Sequence, residues 1–173
     1  MPVVLQNRQR VVAIDRAWLR RTAEDILSAS RADGAELSLV LVSDRRMRAL
    51  NRRYRKKDRP TDVLAFPLTP SHPSPRGTRC FFVATGRWES VGGGARHSSP
   101  PMLLGDVVIA METAKRQASE FGHSLRDEVA RLLVHGVLHL LGYDHERGPR
   151  DAALMTRKEK AILKAINRNH QSA

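Results

Sequence analysis

The sequence predicts a single α/β domain of α+β character, with four main strands and about five helices over residues 1–173. Short apolar or alternating runs interleave with longer stretches whose apolar residues recur every three to four positions. The length suits one domain with a buried core. A composition of 41% hydrophobic and 28% charged residues is that of a folded chain rather than a disordered one. The longest apolar run, Leu37–Val42, is strand-sized and far short of a membrane span.

Each element has a local reason. Val3–Arg8 suits a first strand. Asp15 is placed to cap a helix reaching about Ser30, with Leu19, Ala23, Ile26 and Leu27 facing inward. After a turn at Ala32–Ala35, Glu36–Val42 alternates as a second strand. Ser43 and Asp44 then cap a short helix carrying Met47, Leu50 and Tyr54 on one face. Pro60–Pro67 reads as a short strand, with prolines where strand starts and edges tolerate them. Residues 68–102 carry five prolines and Gly92–Gly94, the texture of a flexible insertion in which Cys80–Ala84 offers one hairpin strand. His72 and His97 fall in that segment and are not counted as ligands. Leu103–Ala110 is a buried strand, and a helix over Met111–Phe121 stops at Gly122. Ser124–Asp127 opens the next helix with a capping-box pattern. The last helix begins at Asp151, places Leu154, Met155, Ile162 and Ile166 on one face, and frays from Arg168.

The chemistry concentrates between residues 135 and 145. His135 and His139 lie one helical turn apart, so both imidazoles project from one face. Gly142 can take positive φ at no steric cost, letting the chain leave the helix and bring His145 round as a third ligand. Three neutral imidazoles leave a fourth coordination position open, as in catalytic zinc sites. The pattern is similar to the metal helix of the zincins, with one difference: the glutamate that follows the first histidine in zinc proteases is Gly136 here. The protease use of such a helix lacks its general base. Asp144 is the nearest carboxylate in sequence, and its residue type suits a partner for a ligand histidine, a base, or a plain turn.

Lys and Arg outnumber Asp and Glu by 30 to 18, a net charge of +12 that favours polyanionic partners. Much of it is local: residues 45–59 hold nine basic residues against one acid, Asp58. Such a run is either a solvated helix face or a surface for phosphates. Arg52, Arg53, Lys56, Lys57 and Arg59 are the candidates for phosphate contact. Cys80 stands alone, so the chain can form no internal disulfide. With no signal-peptide core after Met1, a cytoplasmic location and no membrane partner are expected.

The block His-Gly-Val-Leu-His-Leu-Leu-Gly-Tyr-Asp-His at 135–145, Tyr54-Arg55 and Pro60–Leu64 upstream, and Gly105–Ile109 between them together resemble the YbeY family. The resemblance covers nearly the whole chain outside 68–102. It implies a mixed, mostly four-stranded sheet packed with the helices and a zincin-like metal helix. It also implies one zinc ion on His135, His139 and His145, and a functional arginine matching Arg55. Arg55 and His135 are then the catalytic candidates, while Asp62 and Asp106 either orient the site or cap turns. Under the same resemblance Arg52, Arg53, Lys56, Lys57 and Arg59 become RNA-binding candidates. The implied activity is single-strand-specific endoribonuclease action in maturation of the 16S ribosomal RNA 3′ end and in ribosome quality control. Small-subunit ribosomal proteins and a ribosome-associated GTPase are the implied partners. The alternatives are a non-catalytic assembly factor whose zinc stabilises the fold, and a zincin-like hydrolase with an unusual base. Two departures stand out: Ala65 where the family usually has serine, and the length of the 68–102 segment.

Overall fold

The computed structural model describes residues 3–68, 80–83, 87–90, 103–145 and 148–171. Along the chain the elements are β1 (Val3–Asn7), α1 (Arg16–Ala29), β2 (Glu36–Val42), α2 (Asp44–Arg55), β3 (Val63–Pro67), β4 (Cys80–Val83), β5 (Arg87–Ser90), β6 (Leu103–Ala110), α3 (Met111–Phe121), α4 (Leu125–Leu140) and α5 (Pro149–Gln171). The four main strands form one mixed sheet in the order β1-β2-β6-β3. β1 and β6 both run parallel to β2, and β3 runs antiparallel to β6. β4 and β5 pair separately as a hairpin.

Side-chain alternation assigns the two faces of the sheet. Leu37, Leu39 and Leu41 of β2, with Leu104, Val107 and Ile109 of β6, join the large core built with α1, α3, α4 and α5. Val42, Leu64, Val108 and Ala110 face the other way, into a smaller core under Met47 of α2. Strands covered on both faces read as near-continuous apolar runs, which is why β2 and β6 were conspicuous in sequence. Each fully buried leucine or isoleucine contributes about 1.5–3 kcal/mol over its exposed state. α1 starts where Asp15 accepts from the N–H groups of Ala17 and Trp18, as its sequence foretold.

Three boundaries differ from expectation. β3 begins at Val63 rather than Pro60, because the Asp62 carboxylate accepts from Thr61 and from the Val63 N–H and so holds a turn there. α5 begins at Pro149 rather than Asp151. Proline's fixed φ suits the first helical position, where no N–H is required. The same helix runs to Gln171 instead of fraying at Arg168, with no glycine or proline to interrupt it. The hairpin has a second strand, β5, that the sequence had not suggested; most of the expected 68–102 insertion lies outside the described residues, His72 and His97 included.

α4 lies against the sheet at closest range at Gly136. A Cβ added there would stand 2.7 Å from Val107 Cγ1 and 3.4 Å from Val63 Cγ2. Any side chain would have to displace Val107 or lift the helix from β6 and β3. Gly136→Ala is expected to destabilise the metal-free protein by about 1–3 kcal/mol, as overpacking does. In Val107→Ala the same change should cost less, a coupling that urea denaturation of the four variants measures.

Candidate metal centre and cleft

The site is built on the end of α4. A capping box starts that helix: the Ser124 hydroxyl accepts from the Asp127 N–H at 3.1 Å, and the Asp127 carboxylate accepts from the Ser124 N–H at 3.3 Å. Val129, Leu133 and Val137 bury one face, which leaves His135 and His139 half-buried at its margin. The helix stops in a Schellman turn. Tyr143 N–H donates to the Leu138 carbonyl and Gly142 N–H to the His139 carbonyl, both at 3.0 Å, with Gly142 at φ +88°. Tyr143 packs back on the core. The reversal returns the chain toward the face it has just left, and His145 arrives beside the first two histidines.

The His135 and His139 Nε2 atoms are 3.1 Å apart, and the His145 ring centre is 5.2 Å from each of the other two. One ligand nitrogen from each of the three lies within 4.8 Å of the others. Two imidazole nitrogens on a tetrahedral ion at ordinary bond lengths stand about 3.3 Å apart, so the donor set fits a metal ion. Burial first, then the nearby His135 and His145, hold the His139 pKa below the ordinary histidine value, which keeps its lone pair available.

A carboxylate absent from the sequence-based candidates completes the cluster. Glu159 of α5 receives His135 Nδ1 at 2.6 Å, and that bond holds its own pKa below the ordinary carboxylate value. With Nδ1 committed, His135 offers Nε2 to the other imidazoles. One signal could have found it. Glu159 interrupts the inward stripe Met155, Ile162, Ile166 at helical spacing, where a carboxylate needs a reason. One turn before His135, Arg131 donates to the fully buried Glu128, which His123 also contacts.

The histidines open into a cleft of about 660 Å³. Its far wall is the end of α2, Tyr54 and Arg55, and its floor is the stretch from Thr61 to Pro67. Asn51 shapes the link between them: its side-chain amide donates to the Arg59 carbonyl at 2.7 Å, while Lys56 takes φ +59°. Asp144 lines the cleft beside His145, and its charge acts to raise the His139 pKa. Asp62 also lines it, but both its oxygens are engaged, one by Val63 and Thr61 and the other by Gln117 at 3.2 Å. Asp106 is not brought to the site. It alternates with Val107 on β6 and shares the α2 face with Val108. Arg52, Arg53, Lys56, Lys57 and Arg59 are exposed on or just beyond α2, outside the cleft lining. Asp58, the lone acid of that run, is held by Arg48 through two hydrogen bonds of 2.9 Å.

Comparison with known proteins bears on this geometry. The family described as Endoribonuclease YbeY matches residues 4–167. A protein named Endoribonuclease YbeY from Pelotomaculum thermopropionicum is 43% identical over 171 residues, covering 96% of this chain and 98% of the relative. A protein of the same name from Aquifex aeolicus is 39% identical over 166 residues, covering 96% and 92%. Among solved structures, the solution structure of TM1509 from Thermotoga maritima superposes with a TM-score of 0.61 at 22% identity, covering 98% and 92% of the two chains, and bears on the fold alone.

If Glu159 orients His135 for a metal, Glu159→Ala should weaken zinc binding by roughly 10–100-fold in competition with a chromophoric chelator. Glu159→Gln keeps an acceptor oxygen and should weaken it less. Helical circular dichroism should be unchanged in both.

Proposed function

This chain belongs to the YbeY endoribonuclease family, and on that premise we propose that it is a zinc-dependent endoribonuclease that cuts single-stranded RNA. Its role would lie in maturing the 3′ end of 16S ribosomal RNA and in ribosome quality control. The observation that carries the reading is the cleft itself: three imidazoles with mutual spacing suited to one ion face Arg55 across a space of about 660 Å³. His135, His139 and His145 would hold the ion. Zinc bound there supplies a Lewis acid for a phosphoryl oxygen and lowers the pKa of water.

The remaining work falls to the chain's own groups. Arg55 presents a guanidinium where the scissile phosphate would gather negative charge, and a fork of donors suits phosphoryl oxygens. Arg52, Arg53, Lys56, Lys57 and Arg59 extend the basic wall along which an RNA backbone would run. Asp144, which lines the cleft beside His145, would accept a proton during attack on phosphorus. Asp62 holds the turn that positions the floor, and Glu159 holds His135. The protease alternative meets a steric obstacle: a glutamate at position 136 would occupy the space of Val107. Action on ribosomal RNA makes small-subunit ribosomal proteins and a ribosome-associated GTPase the partners of this reading, in the cytoplasm. Among the described residues no helix is long and apolar enough to cross a membrane.

The experiment is cleavage of single-stranded RNA by purified, metal-analysed protein, with and without chelator. One zinc per chain and chelator-sensitive cutting are expected. Arg55→Ala should lose at least roughly 100-fold in cutting rate while keeping its zinc, the scale seen for a lost transition-state donor; His139→Ala should lose both. Zinc-loaded protein that binds RNA and never cuts it would favour the non-catalytic assembly factor.

A further inference from the structure

β3 is the last strand of the sheet, and one of its edges borders the cleft. Its hydrogen-bond phase is fixed at both ends. Ala110 N–H donates to the Asp62 carbonyl at 2.8 Å, and Leu68 N–H donates to the Leu104 carbonyl at 3.1 Å. Between them Leu64 stands opposite Val108 and Phe66 opposite Asp106. Hydrogen-bonded pairs alternate along an antiparallel ladder, so the even-numbered residues aim their peptide groups at β6. Val63, Ala65 and Pro67 aim theirs outward.

Those three outward positions are not equivalent. The Val63 N–H is taken by the Asp62 carboxylate at 2.9 Å. Pro67 has no N–H, and a proline can stand there because its nitrogen faces away from β6. Ala65 is left with a donor and an acceptor side by side, and among the described residues no strand pairs with that edge. Close by in the same cleft, Tyr54 is 55% exposed, its ring 5.0 Å from that of Phe66 and 5.5 Å from the Arg53 guanidinium. An exposed aromatic on a basic wall is the kind of platform on which single-stranded nucleic acids stack.

We propose that the Ala65 N–H and C=O read the Watson–Crick edge of one unpaired nucleobase beside the scissile phosphate, with Tyr54 stacked on its ring. The assignment rests on the endoribonuclease reading above and deepens it. A base presents adjacent donors and acceptors on that edge, and in a duplex the same edge is occupied by its partner. Peptide groups pair with donor and acceptor whatever side chain they carry. The edge therefore selects for unpaired RNA with little demand on sequence. A net charge of +12 and the basic end of α2 favour a polyanion over an extended peptide as the occupant.

The test uses the zinc-loaded full chain and a short oligouridine with a cleavage-resistant backbone (phosphorothioate, 2′-O-methyl), free or annealed to its complement, followed by fluorescence anisotropy. Wild type should prefer the single strand. Ala65→Pro removes the outward N–H without breaking a bond to β6, though its ring also fixes φ, and should bind the single strand roughly five- to tenfold more weakly, the worth of about one hydrogen bond. Ala65→Ser, which keeps the N–H, should match wild type. Equal zinc content and melting temperature control for folding. A second measurement needs no variant: N3-methyluridine placed at each position in turn blocks one base edge at a time. One position should weaken wild-type binding by a similar factor, and Tyr54→Ala should weaken binding where Tyr54→Phe does not. A flat methyl scan, or Ala65→Pro that binds like wild type, overturns the assignment even when the enzyme cuts RNA. Binding of an unstructured peptide that Ala65→Pro abolishes, with RNA binding untouched, also overturns it. Failure to cut any RNA defeats the endoribonuclease reading instead, whatever the methyl scan shows.

Discussion

α4 can approach β6 and β3 this closely only where it carries no side chain, and Gly136 is that place. Everything at the site inherits its position from the contact. With the helix seated at residue 136, the residues one before and three after it emerge at the margin of the sheet rather than over its middle. That margin is where β3 ends the sheet and a cleft can open. The contact also limits the chemistry. A carboxylate beside the first histidine would be the familiar way to activate water, and the packing that positions the histidines removes the room for it. One absent side chain thus fixes how the helix sits and what could stand beside the first histidine.

The carboxylates near the histidines come from other elements instead. Glu159 reaches His135 from α5, while Asp144 arrives with the turn that carries His145. Arg55 enters from α2, which packs against the opposite face of the sheet. The cleft straddles the edge of β3 that no other described strand pairs with, and both layers of helices contribute to it.

Much of this was legible in the sequence, for physical reasons that differ by element. β2 and β6 announce themselves because cores on both faces of the sheet make their runs mostly apolar, with Ser38 and Asp106 the polar exceptions beyond Glu36 at the start of β2. α1, α2 and α4 do so because Asp15, Ser43 and Ser124 are residues whose side chains replace missing backbone partners. The three histidines were legible because their grouping is local, one helix and its stop. Glu159 was not, because its meaning depends on how α5 packs on α4, and no spacing within α5 reveals it. The orientation of Asp106 was hidden for another reason: adjacency to a motif glycine says nothing about which face of a strand a side chain takes. The end of α2 was also hidden, since Lys56 stops the helix in a left-handed conformation without the glycine that usually marks one.

The Schellman turn at Gly142 has a consequence for assembly. All three histidines belong to one stretch of eleven residues, and the loop that must close to gather them is short. Arg55 is eighty positions away from His135, and joining it requires the whole sheet. An ion held there would reward the reversal that the glycine permits, since metal binding free energy adds to folding free energy. The metal-ligand set of the proposed site is thus local in the chain, whereas its pairing with Arg55 is global.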